Sequence, residues 1–222
     1  MNKFNCSKIK KNGFTIMELI VVIGLFMTSV LIITEILMMI NKSQKNIMEY
    51  QKLQSDVSYT LEVIARSIRL GTIDYASYSL GISNPEDELY LFDVNGKQTI
   101  FKLANNQAEG CTTNNSSPCV IEGVDTDVDG VVDYYGAITP KGVKINSLKF
   151  YITPTNNPFL SRQCAVVGDC PSAVCLASGF CQVPDQQPMV TIIISAEQSE
   201  TIVSNPATIS LQTTVSSRQY YR

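Results

Sequence analysis

The residues best equipped for chemistry lie between Asp125 and Asp133, in the stretch DTDVDGVVD, where four carboxylates fall within nine residues. At that density like charges repel one another unless water or a cation stands between them. Asp125, Asp127 and Asp129 occupy the first, third and fifth places of an EF-hand-like loop and Gly130 the sharp bend. Val131 then stands where a backbone carbonyl is offered, and Asp133 at the ninth place, which ligates directly or through water. The twelfth place holds Gly136 instead of a bidentate glutamate, so the last ligand is open, with Glu122 a candidate from the other side. The expectation is a calcium ion that orders a loop, weighed against a hydrated acidic turn.

Catalytic apparatus is not expected. The 222-residue chain has no histidine and no tryptophan, which removes the side chain that titrates nearest neutrality and the commonest metal ligand. No G-x-S-x-G, no phosphate-cradling loop and no cysteine with a base partner occurs. The acidic loop itself resembles the shortened calcium loops of dockerins and thrombospondin-type repeats.

The elements that must carry this loop follow from periodicity. LYLFDV, Asn95-Gly96 and KQTIFKLA make a hairpin signal, the Asn-Gly pair suiting a type I′ turn. VKINSLKFYIT, MVTIIISAEQ and TISLQTTVSS are further strands, and residues 71–88 read as a connecting loop. Upstream, Tyr50, Leu53, Val57, Leu61, Ile64 and Ile68 recur at steps of three and four, one face of an amphipathic helix. Arg66 and Arg69 sit near its end and Gly71 follows, as at a helix stop. With no proline from Phe14 to Leu70, one helix of about 85 Å is expected over that span. The fold class is therefore α+β, a long amino-terminal helix packed on an antiparallel sheet.

The first half of that helix is apolar from Phe14 to Ile40 except for Thr15, Glu18, Thr28, Ser29, Thr34 and Glu35, and is long enough to cross a hydrocarbon core of about 30 Å. Lys3, Lys8, Lys10 and Lys11 precede it without an acid, which by the positive-inside bias keeps the amino end in the cytoplasm and sends the rest outward. A secretory signal would place a small-residue cleavage site after the apolar run. Here NKSQKN follows it, and the small residue, Gly13, precedes it. Glu18 inside the run costs about 2 to 3 kcal/mol on insertion scales, unless it is paired or snorkels to the nearby interface.

Gly13 followed by FTIMELIVVIG resembles the amino terminus of the type IV pilin superfamily, the pilins, minor pilins and pseudopilins of pili, type II secretion and DNA-uptake machines. The resemblance covers about the first 30 residues. It implies that a membrane-embedded prepilin peptidase cuts after Gly13 and methylates Phe14, and that Glu18 pairs with the methylated amine of a neighbouring subunit during assembly. It also implies partners: the peptidase, an inner-membrane assembly platform and other pilin or pseudopilin subunits. The organisation expected is a cytoplasmic leader 1–13, a membrane or filament-core segment 14–40, an amphipathic segment 41–70 and an extracytoplasmic head 71–222 with a cysteine-rich insertion 159–188. Before assembly the chain spans the cytoplasmic membrane once; afterwards it belongs to a filament at the cell surface or in the periplasm.

Processing would also resolve an odd count. Of seven cysteines, Cys6 lies in the leader, leaving Cys111, Cys119, Cys164, Cys170, Cys175 and Cys181. Outside the cytoplasm an even number favours three disulfides over a metal site, and no C-x-x-C pair argues for zinc. Cys111 with Cys119 is the expected first bridge, with two more inside CAVVGDCPSAVCLASGFC, although six cysteines allow 15 pairings. That cluster is read as a stapled surface loop or as a contact surface. Loss of the four leader lysines takes the formal charge from −3 to −7, which disfavours bulk nucleic-acid binding. The functional expectation is a structural minor pilin or pseudopilin; the alternative is a filament-borne adhesion or DNA-uptake module using the disulfide-rich or the acidic loop. An ordinary membrane-anchored exported domain is the third reading.

Overall fold

A computed structural model describes residues 13–79, 81–106, 109–111, 118–127, 129–158, 187–199 and 206–217. Among them are α1 (Ile16–Leu70), β1 (Thr72–Ile73), β2 (Glu88–Phe92), β3 (Gln98–Ala104), β4 (Cys119–Val124), β5 (Tyr134–Ala137), β6 (Val143–Thr153), β7 (Met189–Gln198) and β8 (Thr208–Ser216), an α+β architecture. The chain divides into two compact units, Met1–Met48 and Glu49–Arg222. Residues 1–12 of the leader expected over 1–13, and Cys164, Cys170, Cys175 and Cys181, lie outside the described residues.

In the first unit α1 begins at Ile16, two residues later than the apolar run suggests, because the Thr15 hydroxyl takes up a free amide of the first turn, that of Glu18 at 3.3 Å. Every residue from 13 to 48 is exposed. The hydroxyls within the apolar run do not wait for partners. Thr28 and Ser29 donate to the Leu25 carbonyl at 2.9 and 2.8 Å, and Thr34 donates to Leu31 at 2.7 Å. A helix surrounded by hydrocarbon needs its polar groups satisfied internally in this way. This is a helix long and apolar enough to cross a membrane.

The second unit buries the other end of the same helix. Leu53, Val57, Thr60, Leu61, Ile64, Ala65 and Ile68 form its buried face, spaced by three and four residues. Tyr50 stays 45% exposed, so the buried stripe starts one step later than the periodicity places it. Gly71 ends the helix, its amide bonded to the Ser67 carbonyl at 2.8 Å. A Cβ there would stand 2.8 Å from the Phe92 carbonyl oxygen, so a glycine is what lets β2 approach the helix end.

Two antiparallel sheets, not one, complete this unit: a five-stranded meander β1-β2-β3-β4-β5 and a three-stranded meander β6-β7-β8. The helix residues, Leu89, Leu91, Phe101 and Val120 of the first sheet, and Ile145, Phe150, Ile152, Ile192 and Ile194 of the second form one continuous core. Hydrogen bonds join the sheets along the outer edge of β6. Glu86 and Phe150 exchange two backbone bonds of 2.8 and 2.9 Å, and the Ile145 amide donates to Pro118 at 2.9 Å. The Asn84 side chain mimics a strand, accepting from the Ile152 amide and donating to its carbonyl at 2.8 Å each.

The β2–β3 hairpin exists with a different turn from the type I′ expected. The Gly96 amide donates to Asp93 at 2.9 Å and Asp93 closes on Lys97 at 2.8 Å, so Val94 and Asn95 are central and Gly96 follows with φ +78°. This is a three-residue loop in which only the glycine needs the left-handed region. Residues 71–88 are not wholly a loop, since they contain β1, and β4 and β5 are strands that the periodicity did not mark.

Candidate functional sites

The acidic stretch is the connection of the β4–β5 hairpin. Val124 pairs with Tyr134, and Glu122 pairs with Gly136, so the twelfth place of the loop pattern lies inside a strand and has no side-chain ligand to give. The connection starts at Asp125, whose amide donates to the Gln98 carbonyl at 2.9 Å, and ends at Asp133, whose amide donates to Val124 at 3.2 Å. Asp125 is buried, 1% exposed, and its carboxylate accepts the Gly130 amide at 2.9 Å. Gly130 has φ +86°, a conformation that side chains disfavour, and makes the bend.

Carboxylate oxygens of Asp125, Asp127 and Asp133 lie within 4.8 Å of one another. Asp129 is not in this group; its carboxylate accepts the Val131 amide at 2.8 Å, a turn-closing bond. Glu122 is not in it either, and burial on β4 raises the affinity of its carboxyl for a proton. Thr126, which the ligand pattern passes over, donates to Asp133 through its amide at 2.8 Å and also through its hydroxyl. These two bonds hold the Asp133 carboxyl below the usual carboxylate range. Asp127 is pushed the other way, by desolvation and by the charges of Asp129 and Asp133. Because Asp127 is exposed, the neighbouring charges are the more important physical cause. A hydrated cation of hard character would relieve that repulsion, and three carboxylates suit calcium or another oxygen-seeking ion.

Cys111 and Cys119 form a disulfide with Cα atoms 6.0 Å apart, and both are buried. Cys119 opens β4 opposite Ala104, the last residue of β3, so the bridge staples the connection between these strands. With Ala104 and Ile121 the two cysteines form a small apolar cluster of their own.

The second candidate site is the start of α1. Gly13, Phe14 and Glu18 are all exposed, Phe14 at 77%. Thr15-Ile-Met-Glu18 places threonine at the cap and glutamate three residues on, the spacing of a capping box, whose signal is legible in the sequence. The positive end of the helix dipole favours an acid at that position. The cap explains how Glu18 is tolerated in the first turn, but not why an acid stands within an apolar run. No family model, no curated protein and no solved structure matches this chain.

Proposed function

We propose that the chain is a structural subunit, a minor pilin or pseudopilin, of a type IV pilus-like filament or a type II secretion pseudopilus. In this reading the leader is removed after Gly13, Phe14 becomes the methylated amino terminus, and Glu18 pairs with that amine in a neighbouring copy. The observation that carries it is the stretch of α1 up to Met48, apolar through Ile40, wholly exposed, and provided with one acid in its first turn. Exposed apolar surface on this scale requires a cover. Lipid supplies it before assembly and the helices of other subunits afterwards, while an apolar contact alone would leave Glu18 unanswered.

Mass spectrometry of the amino terminus, in membranes and in filaments sheared from cells, tests this directly. Methylated Phe14 in the sheared fraction is expected for a pilus component, and in the membrane fraction alone for a short pseudopilus or priming subunit. An intact leader with no polymer in either fraction would sink the reading.

The same reading gives the head a structural calcium ion, held by Asp125, Asp127 and Asp133 with the hairpin backbone. Calcium binding to the folded state stabilises it by mass action, about 1 kcal/mol at five times the dissociation constant. The detergent-solubilised chain is expected to melt a few degrees higher in millimolar calcium than in chelator, and Asp127→Asn to abolish the difference. Equal midpoints in calcium and chelator would remove the ion from the account.

A further inference from the structure

Glu35 is a second acid in the apolar run, and no cation of its own helix stands one turn from it. One turn away in each direction stand Leu31, Ile32, Met38 and Met39, all apolar. Lys42 is in the converse position, with Met38, Met39, Lys45 and Asn46 one turn away and no acid among them. The two are seven residues apart, about two turns. At that same spacing Glu62 and Arg69 form an ion pair of 2.8 Å along the helix, the longer guanidinium spanning the gap. Neither Glu35 nor Lys42 takes part in an ion pair among the described residues.

The run also has a symmetry. Glu18 follows Lys11 by seven residues, and Glu35 precedes Lys42 by seven. From Glu18 to Glu35 the helical rise amounts to about 26 Å, a little less than the thickness of a hydrocarbon core. Both acids therefore fall near the borders of such a core but within it, where an ionisable group is costly unless a partner is brought to it. Lys42 stands about 10 Å farther along the axis than Glu35, on the outer side.

We propose that Glu35 pairs with Lys42 of a second copy of this chain, the two helices running parallel and displaced along their axes by one to two turns. This rests on the filament reading. Helical side chains lean toward the amino terminus, so the ammonium of Lys42 reaches back about one turn toward the level of Glu35 in a displaced neighbour. A displacement of one turn in that sense also sets Glu18 of that neighbour level with Phe14 of the copy that gives Glu35, the two lying four residues apart in the sequence. One displacement thus serves both contacts. Each copy gives Glu35 to one neighbour and Lys42 to another, a head-to-tail arrangement that extends without closing.

The test uses the full-length chain in its own membranes, with polymer recovered by shearing and processing at Gly13 read in parallel. E35K and K42E singly are expected to lower polymer yield at least about tenfold, and the double swap to restore most of it, because interacting sites are non-additive. Co-expressed chains carrying E35C and K42C respectively are expected to yield an oxidised dimer between copies. The pairing is overturned if either single reversal polymerises like the wild type, if the double swap does no better than the singles, or if no cross-linked dimer forms while wild-type polymer is present. A wild-type chain that keeps its leader and gives no polymer removes the filament reading and this pairing together. Processed wild type that polymerises beside fully competent single variants removes the pairing alone.

Discussion

Residues 16–48 and 49–70 belong to one uninterrupted helix, yet the first stretch buries nothing and the second buries seven side chains. The first is the richer in large apolar residues, and it is the one left open. What distinguishes them is pattern. In the second stretch polar residues alternate with the stripe from Leu53 to Ile68, so one face meets the sheets and the other meets water. In the first, apolar residues run all round, a surface suited to lipid or to several neighbouring helices at once. Apolar content alone therefore does not locate the core of this chain; the side from which cover arrives does.

The contrast is broken most completely by Glu18→Ala. Its expected effect is loss of polymer from the sheared fraction with processing retained and the melting of the head unchanged, because no head residue depends on it. Wild-type polymer yield in that variant would mean that apolar packing suffices. Ile64→Ala is expected to do the opposite. Ile64 is fully buried, so truncation costs about 3 kcal/mol. That lowers the thermal midpoint by roughly 10 °C in a unit of this size, whereas Ile32→Ala, the same change in the open stretch, leaves it where it was. Equal midpoints for the two variants would contradict the division of the helix.

Next in size is the bridge between Cys111 and Cys119. Replacing both by serine frees a connection of sequence separation 8 and is expected to cost about 2.5 kcal/mol on the chain-entropy account. Denaturant midpoints with and without the pair measure this, and a cost near zero would show that the β3–β4 connection is held by its other contacts. Smallest is Glu122→Gln. Burial raises the folded-state pKa of Glu122 above its ordinary 4.5, so the native state binds the proton more tightly than the unfolded chain. Stability therefore falls as pH rises from about 4.5 through the raised value, and neutral pH carries the full loss. The glutamine variant is expected to be more stable at pH 7 by less than about 1 kcal/mol and to show a flatter profile above about pH 4.5. A destabilised variant at pH 7 would assign Glu122 a partner worth more than its burial costs.

Much of the head was legible because its strands alternate cleanly. VKINSLKFYIT and MVTIIISAEQ coincide with β6 and β7 from end to end. β4 escaped because CVIEGV is buried on both faces through Ile121 and then interrupted by Glu122 and Gly123, which blurs any period of two. Gly123 is there for a neighbour: a Cβ would stand 2.6 Å from the ring of Tyr135. β5, YYGA, is short and contains a glycine, and it pairs with β4 as the edge of the sheet. The junction of the two sheets depends on where residues 84–86 meet β6, a contact between segments more than 60 residues apart that no local pattern encodes. In the acidic loop the spacing fell on the β4–β5 connection, while Asp129 accepts the Val131 amide and Thr126 takes a role that a ligand pattern does not contain.

The junction at β6 bears on how the head opens. The outermost strand of a sheet ordinarily loosens first, its amide protons trading with water through small local excursions. On β6 the amides of Ile145, Phe150 and Ile152 are held from outside by Pro118, Glu86 and Asn84. Releasing that border means detaching the segment that leads into β2 and the residue that leads into β4, so the two sheets come apart only as a pair. The head thereby gains a seam that behaves as interior, with no frayed margin at which a passing extended chain can begin to add itself.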